Sequence, residues 1–211
     1  MKRLTHDVSL LVLIGVLAVS ATLAWRHLTG PAITGAEKQL QSRQRLAVLP
    51  EGSYDNQPLD SPLAKPEAQR PNSRILAAYR ATMAGKPSAI VLVTQTQGYA
   101  GPIVLSVAIA TDGRLIGSQV MEQQESPGLG ARLGDPQLHW LGQFDNRHQG
   151  DHWALKRDQG DFDQLAGATV TSRAVITALQ EALSYFDEQR SVLLEGAAHE
   201  SVSYTHLRAH E

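Results

Sequence analysis

Residues 163–172, DQLAGATVTS, hold three hydroxyl side chains and a glycine directly before a helical pattern. After them, apolar residues recur on one face of a 3.6-residue helix, at Val175, Leu179, Ala182, Leu183 and Phe186. An oxygen of Thr169, Thr171 or Ser172 can accept from the free N–H groups of the first turn, which predicts a helix cap. The same N–H groups and the positive end of the helix dipole favour a phosphate. The residues alone leave both interpretations open.

Two glycine-containing segments are further candidates for a binding site. Residues 125–130, ESPGLG, place glycines on both sides of Leu129, and glycine permits positive φ angles and close approach of the backbone to a ligand. A plain surface loop explains this segment as well. Residues 98–102, GYAGP, are turn-forming, and Tyr99 lies either at the mouth of a cleft or packed within its turn.

Composition excludes several classes of function. Hydrophobic residues make up 42% of the 211 positions and charged residues 19%, which is enough for a real core. The net charge is −2 with no basic block, so binding to nucleic acid is not expected. The absence of cysteine excludes disulfides, thiolate catalysis and protein-bound iron–sulfur clusters, so redox chemistry would need an added cofactor. The histidines at 139, 148 and 152 lack the close spacing of a metal pair, and no metal site is predicted.

An uncharged run of 18 residues, VSLLVLIGVLAVSATLAW, occupies residues 8–25. It is long enough to span the hydrocarbon of a membrane, and it ends on a tryptophan suited to the interface. A cleaved signal peptide is the alternative, because small residues at 18–23 could form a cleavage site. The run exceeds the usual apolar region of about 7–15 residues in such peptides, which favours a retained transmembrane helix. Residues 1–7 are then a cytoplasmic flank.

The sequence after the apolar run divides into a spacer and a compact domain. Residues 36–49 predict a polar amphipathic helix that ends at Pro50, and residues 50–72 collect turn-forming residues. We therefore expect residues 26–73 to form a helix and linker that serve as a spacer. The compact domain is predicted over residues 74–190.

Three strands are predicted in the compact domain, over residues 89–95, 102–111 and 115–121. Their lengths and the Asp-Gly turn at 112–113 indicate an antiparallel meander, with one apolar face in the second strand at Ile103, Leu105, Val107 and Ile109. A short element around Trp140 and a late strand over residues 152–156 come after the meander. With the C-terminal helix, these elements predict an α+β fold.

These motifs together resemble a known family. DQLAGATVTS, preceded by ESPGLG, GYAGP and HWALK in a chain with one N-terminal apolar run, resembles the flavin-carrying G subunit of the Rnf electron-transport complex, called Rsx in enterobacteria. The resemblance extends to about residue 189 and is strongest over residues 98–130 and 151–183. It implies a single N-terminal transmembrane helix, then an FMN-binding domain with a twisted antiparallel sheet and flanking helices.

The resemblance also implies the site. The family attaches FMN by a phosphoester bond to the threonine of an Asp-x-x-Ser/Thr-Gly-Ala-Thr motif, which corresponds here to Thr169, and Asp163 matches the acidic residue that a flavin transferase recognises. Further FMN contacts are implied for residues of the three segments above, namely Gly167, Ala168, Thr171, Glu125, Gly128, Leu129, Gly130 and Tyr99. Attachment through the phosphate leaves the isoalloxazine ring free for electron exchange.

The implied function is that of an electron-carrying subunit rather than a catalyst on its own. Such a subunit relays electrons through FMN within a membrane complex that couples ferredoxin and NAD to ion movement. Its partners are the other subunits and the separate transferase that installs the FMN. The expected location is the bacterial inner membrane, with the soluble domain on the periplasmic side.

The sequence departs from the family pattern at three positions, which leaves alternatives. Ala166 stands where the pattern prefers Ser or Thr, Ser126 stands where Thr is usual, and Ala131 stands where an acidic residue is frequent. One alternative is the C subunit of the sodium-pumping NADH:quinone reductase, which has the same kind of domain. The other is a membrane-anchored binding domain without flavin, for which Ala166 is the only support.

The C-terminal residues do not resemble the rest of the chain. Residues 191–201 are predicted to be a tail. Residues 202–211, VSYTHLRAHE, match the in-frame translation of a transposon-based sequencing adapter, and we exclude them from fold reasoning as an artefact.

Overall fold

A computed structural model describes residues 15, 17–20, 22, 45–60, 62–63 and 67–195. The chain divides into two units, Met1–Arg43 and Gln44–Glu211. The described residues of the first unit are helical. No helix in the described ranges is both long and apolar enough to cross a membrane. Most of the span predicted at residues 8–25, and all of residues 196–211, lie outside those ranges.

The second unit is built on one five-stranded antiparallel sheet. Its strands follow each other in sequence order: β1 Ala68–Gln69, β2 Ser73–Met83, β3 Lys86–Gln97, β4 Pro102–Ala110 and β5 Leu115–Glu122. The three strands predicted from sequence, their meander and the turn at Gly113, which has φ 92°, are confirmed. Strand β2 was not predicted, because its alanines and two arginines give no regular alternation.

One face of the sheet packs on the long helix α1, Thr169–Glu188. The apolar positions predicted for β4 and for the helix are all fully buried in one cluster, which includes Ile103, Leu105, Val107, Ile109, Val175, Leu179, Ala182, Leu183 and Phe186. A helix that presents one apolar stripe to a flat apolar sheet face forms the standard two-layer arrangement. A shorter helix, α2 Arg190–Glu195, comes next and buries Leu193.

The opposite face of the sheet is covered by residues 45–60 rather than by solvent. Val48 and Leu49 are buried against Tyr79 and Val91, and the Ser106 hydroxyl donates to the carbonyl of Arg45 at 2.8 Å. A short 3₁₀ helix, Pro58–Asp60, belongs to the same layer. The interpretation of this segment as a spacer is therefore wrong for residues 45–60. Its buried residues Val48 and Leu49 lie at the end of the predicted polar helix, where two apolar side chains do not by themselves indicate contact with a sheet.

Three polar contacts fix the position of α1 along the sheet. The buried Glu181 carboxylate accepts hydrogen bonds from the backbone and side chain of Asn72 and from the Ser73 hydroxyl, at the turn that leads into β2. Nearer the helix C-terminus, Arg70 donates two hydrogen bonds to Glu188. These bonds lower the pKa of Glu188 below its ordinary value, since the guanidinium stabilises the ionised carboxylate. The third contact is a hydrogen bond from Thr171, in the first turn of α1, to Glu125.

The segment between β5 and α1 contains three 3₁₀ helices and an aromatic cluster. The helices are Gly130–Gly134, Trp140–Phe144 and Lys156–Asp158, and the cluster joins Trp140, Phe144, Trp153 and Phe162 with ring centroids 4.7 to 5.9 Å apart. The short element predicted around Trp140 is one of these 3₁₀ helices, and Trp140 is buried. The late strand predicted over residues 152–156 is wrong, since only one isolated bridge joins Leu155 to Phe162.

The packing of α1 predicts the effect of a core substitution. Val175→Ala should lower the free energy of unfolding by about 2 kcal/mol, because two buried methyl groups are lost and a cavity remains. Val192→Ala is the matched control, since Val192 is 64% exposed on α2, and it should change stability by less than about 0.5 kcal/mol. Urea denaturation of the full chain, followed by tryptophan fluorescence, measures both values. Equal effects would contradict the burial of Val175.

Candidate functional site

A cleft of about 370 Å³ lies where three segments meet: the turn between β3 and β4, the loop after β5, and the first turn of α1. Its lining residues are Tyr99, Glu125, Ser126, Leu129, Gly130, Gly167, Ala168, Thr169, Val170 and Thr171. The structure thus brings together most of the site residues implied by the sequence, although they are up to 72 positions apart. Larger and more open clefts of about 560 and 570 Å³ exist elsewhere, but they contain none of these residues.

The Glu125 side chain joins all three segments. Only 7% of it is exposed, and its Oε2 accepts a hydrogen bond of 2.6 Å from the Thr171 hydroxyl on α1. Its Oε1 accepts a bond of 3.1 Å from the backbone N–H of Ala100 in the turn. Its own backbone N–H donates to the Gln123 side chain at 2.6 Å. Both carboxylate oxygens therefore position the walls of the cleft.

Two glycines leave the space that this carboxylate occupies. A Cβ atom at Gly98 would collide with Oε1 of Glu125 and with Ile103, and one at Gly130 would collide with Oε2. At both positions glycine is needed because of Glu125 and not because of φ, since neither residue has a positive φ. The glycine at 128 has φ 76° and nothing within 4 Å of a Cβ position, and it does not line the cleft.

The turn before α1 closes without a side-chain cap. Ala168 occupies the N-cap position, and it follows Gly167, which has φ 75°. The Ser172 hydroxyl accepts from Leu165 N–H and donates to the Ala168 carbonyl, both at 2.9 Å. The prediction that Thr169, Thr171 or Ser172 caps the helix is therefore wrong. The hydroxyls of residues 171 and 172 form hydrogen bonds with other groups and not with the free N–H groups of the first turn.

The first turn consequently has backbone donors available. Among the described residues, no acceptor is found for the N–H groups of Thr169, Val170 and Thr171. Free N–H groups at a helix start, together with the helix dipole, form a site that favours an anion. These donors lie at the cleft lined by the same three residues.

Thr169 combines a hydroxyl group with access to the cleft. Its side chain is half-buried, and its Oγ1 donates a hydrogen bond of 3.0 Å to the exposed side chain of Gln164. This partner lies on the surface and can be exchanged for water or a ligand without unfolding the turn. A hydroxyl so placed can form an ester with a phosphate held at the helix start.

Asp163 lies outside the cleft, on the adjacent surface. Its carboxylate is paired with Lys156 at 2.6 Å, and its backbone is held by the Trp140 indole at 2.8 Å and by Gln143. Ala166 is also exposed, so the absent hydroxyl of the family pattern leaves no buried group without a partner. The structure separates these exposed motif residues from those that form the cleft.

Two cleft residues were not among the predicted contacts. Ser126 and Val170 also line the cleft, and Val170 is 53% exposed. Tyr99 is 75% exposed and Leu129 46%, so three large side chains with apolar surface surround the cleft mouth. Val170 could have been identified from sequence, because it is an apolar residue that falls off the buried face of the helical pattern.

The size and chemistry of the cleft fit a phosphorylated cofactor. Its volume lies within the range of roughly 300–1,000 Å³ typical of cofactor sites. The bare backbone at Gly167 and the free N–H groups of the first turn suit a phosphate, and the apolar rim suits a planar ring. No groups of residues suited to hold a metal ion occur in the described ranges.

Comparisons with known proteins identify a domain family and relatives that cover most of the chain. The FMN-binding domain family matches residues 98–184. The G subunit of the ion-translocating oxidoreductase complex of Pseudomonas aeruginosa is 39% identical over 214 residues, covering 94% of this chain and 97% of that protein. The subunit of the same name from Stutzerimonas stutzeri is 34% identical, covering 87% and 81%. The crystal structure of Shewanella oneidensis NqrC is 22% identical with a TM-score of 0.47, covering 64% of this chain and 75% of that one.

The family match and the sheet identify an FMN-binding domain with an antiparallel sheet. Within that class, the chain belongs to the family of G subunits of ion-translocating oxidoreductase complexes. The resemblance to the Rnf-type G subunit found in the sequence is confirmed, and it is favoured over the quinone-reductase C subunit.

The contact between Glu125 and Gly130 predicts a stability difference between two glycines of the same 3₁₀ helix. Gly130→Ala should destabilise the protein by about 1–3 kcal/mol, because the new Cβ displaces the buried carboxylate. Gly134→Ala should be tolerated, because its nearest neighbour would be the Cβ of Val120 at 3.9 Å. Urea denaturation of both variants measures the difference, and similar stability would contradict the packing around Glu125.

Proposed function

We propose that this protein carries FMN in the cleft, attached to Thr169 by a phosphoester bond, and relays electrons as a subunit of an ion-translocating oxidoreductase complex. The observation that carries the proposal is the position of the Thr169 hydroxyl, at a cofactor-sized cleft and beside backbone N–H groups for which the described part of the chain offers no acceptor. The membership of the family of G subunits supports it.

The phosphate end would be held mainly by the backbone. The N–H groups of Thr169, Val170 and Thr171 would donate to the phosphate oxygens, and the bare backbone of Gly167 would let them approach. Leu129 Cδ2 already lies 2.7 Å from the position of a Cβ at Gly167, so a larger residue there would push this side chain out of the cleft wall.

The ring end would be covered by the apolar rim. Tyr99, Leu129 and Val170 would exclude water from one side of a planar ring and limit its movement. When bound, FMN supplies reversible acceptance and release of electrons, which no side chain of this cysteine-free chain supplies. The residues of the cleft then bind and orient, and no general acid or nucleophile is needed for turnover.

Attachment would require a second protein. Asp163 is exposed beside the cleft with its backbone fixed by Trp140 and Gln143, so it can be recognised by a flavin transferase without rearrangement of the domain. We further propose the sequence-based location: a membrane anchor at residues 8–25, with the FMN-binding domain on the periplasmic side of the bacterial inner membrane. The partners would be the other subunits of the complex named for the relatives.

Mass spectrometry tests the attachment. The full chain produced with a flavin transferase should gain the mass of one FMN minus one water, because the bond between Thr169 Oγ1 and phosphorus replaces the hydroxyl hydrogen of threonine and one hydroxyl group of the phosphate. Thr169→Val should lose both the added mass and the in-gel fluorescence. Thr177→Val is the control on the same helix outside the cleft, and it should keep both. Equal fluorescence from wild type and Thr169→Val would refute the assignment.

Ala166 offers a second test of the motif. Ala166→Ser restores the hydroxyl that the family pattern prefers and should raise the initial rate of FMN incorporation. Since residue 166 is exposed, the free energy of unfolding should change by less than about 0.5 kcal/mol. A time course of flavin fluorescence with limiting transferase measures the rate. An unchanged or lower rate would show that this position does not limit recognition.

A further inference from the structure

The Glu125 side chain is a carboxylate, and its structural role does not require a negative charge. The inference drawn from this charge rests on the proposed function. It is a buried carboxylate whose partners are a hydroxyl and a backbone N–H. No lysine, arginine or histidine of the described residues forms an ion pair with it. Burying a carboxylate is costly unless a positive charge or several donors compensate for the lost water.

The hydrogen bonds alone would be satisfied by a neutral side chain. A glutamine could accept from the N–H of Ala100 with its oxygen and donate from its amide to the Thr171 hydroxyl, which can also act as an acceptor. The chain instead holds a carboxylate and leaves space for it with Gly98 and Gly130. The negative charge itself is therefore the feature that needs a reason.

The same carboxylate lines the cleft that contains Thr169 and the first turn of α1. Charges in a partly dehydrated site act on each other more strongly than in water. Reduction adds electrons to the flavin, and a fixed negative charge in the same cleft disfavours this addition. We propose that the Glu125 carboxylate lowers the reduction potential of the FMN carried on Thr169, and so makes it a stronger electron donor.

The test compares removal of the charge with loss of a hydrogen bond. Flavinylated wild type, Glu125→Gln and Thr171→Val are first checked by intact mass and then titrated with dithionite and reference dyes, where dithionite supplies the electrons and FMN accepts them. Glu125→Gln should raise the ratio of reduced to oxidised flavin about tenfold at the wild-type midpoint potential. This corresponds to a rise of about 30 mV in the reduction potential of a two-electron couple. Thr171→Val keeps the charge and should give a much smaller change.

Two further variants separate charge from shape. Glu125→Asp keeps the charge and should stay near the wild-type potential. Glu125→Met removes the charge without adding an amide and should raise the potential as Glu125→Gln does. An unchanged or lower potential in the uncharged variants, or an equal rise in Thr171→Val, would overturn the proposal. So would failure of both uncharged variants to fold and carry flavin, since the role would then be structural.

The outcome also distinguishes this proposal from the proposed function. If the wild-type protein gains no FMN mass, the proposed attachment to Thr169 is wrong, and no reduction potential is assigned to any variant. If wild type and Thr171→Val both carry FMN while the potential does not respond to the charge at Glu125, only the present inference fails.

Discussion

The position of helix α1 on the sheet determines where the cleft lies. The helix packs its apolar face against β4, and three polar contacts set its position along the strands. Glu181 fixes the middle and Arg70 the C-terminal end, whereas Glu125 fixes the first turn. These contacts hold the first turn of α1 beside the turn after β3 and the loop after β5, and the cleft lies where the three segments meet.

The site relies on the backbone more than on reactive side chains. Glycine at 167 and an N-cap alanine leave the start of α1 without a side-chain acceptor, and the nearby hydroxyls are engaged in packing. Donors in the first turn are thus available to a ligand, while Thr169 offers a hydroxyl at the same place. This arrangement suits a carrier that holds a cofactor and leaves the chemistry to it.

Residue patterns predicted the elements well where burial is regular. The apolar alternation of β4 and the helical stripe from Val175 to Phe186 are both local, so periodicity was sufficient to identify them. Patterns failed for residues 45–60, where Val48 and Leu49 anchor a turn-rich segment, and for β2. They also failed for the helix cap, because the Thr171 hydroxyl bonds to Glu125 and the Ser172 hydroxyl bonds to Leu165 before the helix, and residue spacing does not show such partners.

Residue patterns were sufficient to identify the family, the FMN-binding domain, the meander and the helix, since each depends on short motifs or on one repeating period. A motif in the sequence also predicts Thr169 as the attachment position of FMN. The three-dimensional structure was needed to show which segments meet at the cleft, why Gly98 and Gly130 must be small, and that Glu125 is a buried carboxylate bonded to the first turn of α1. Apart from the contact of Gly130 with Glu125, these relations join residues at least 25 positions apart, and no local pattern encodes contacts of that range.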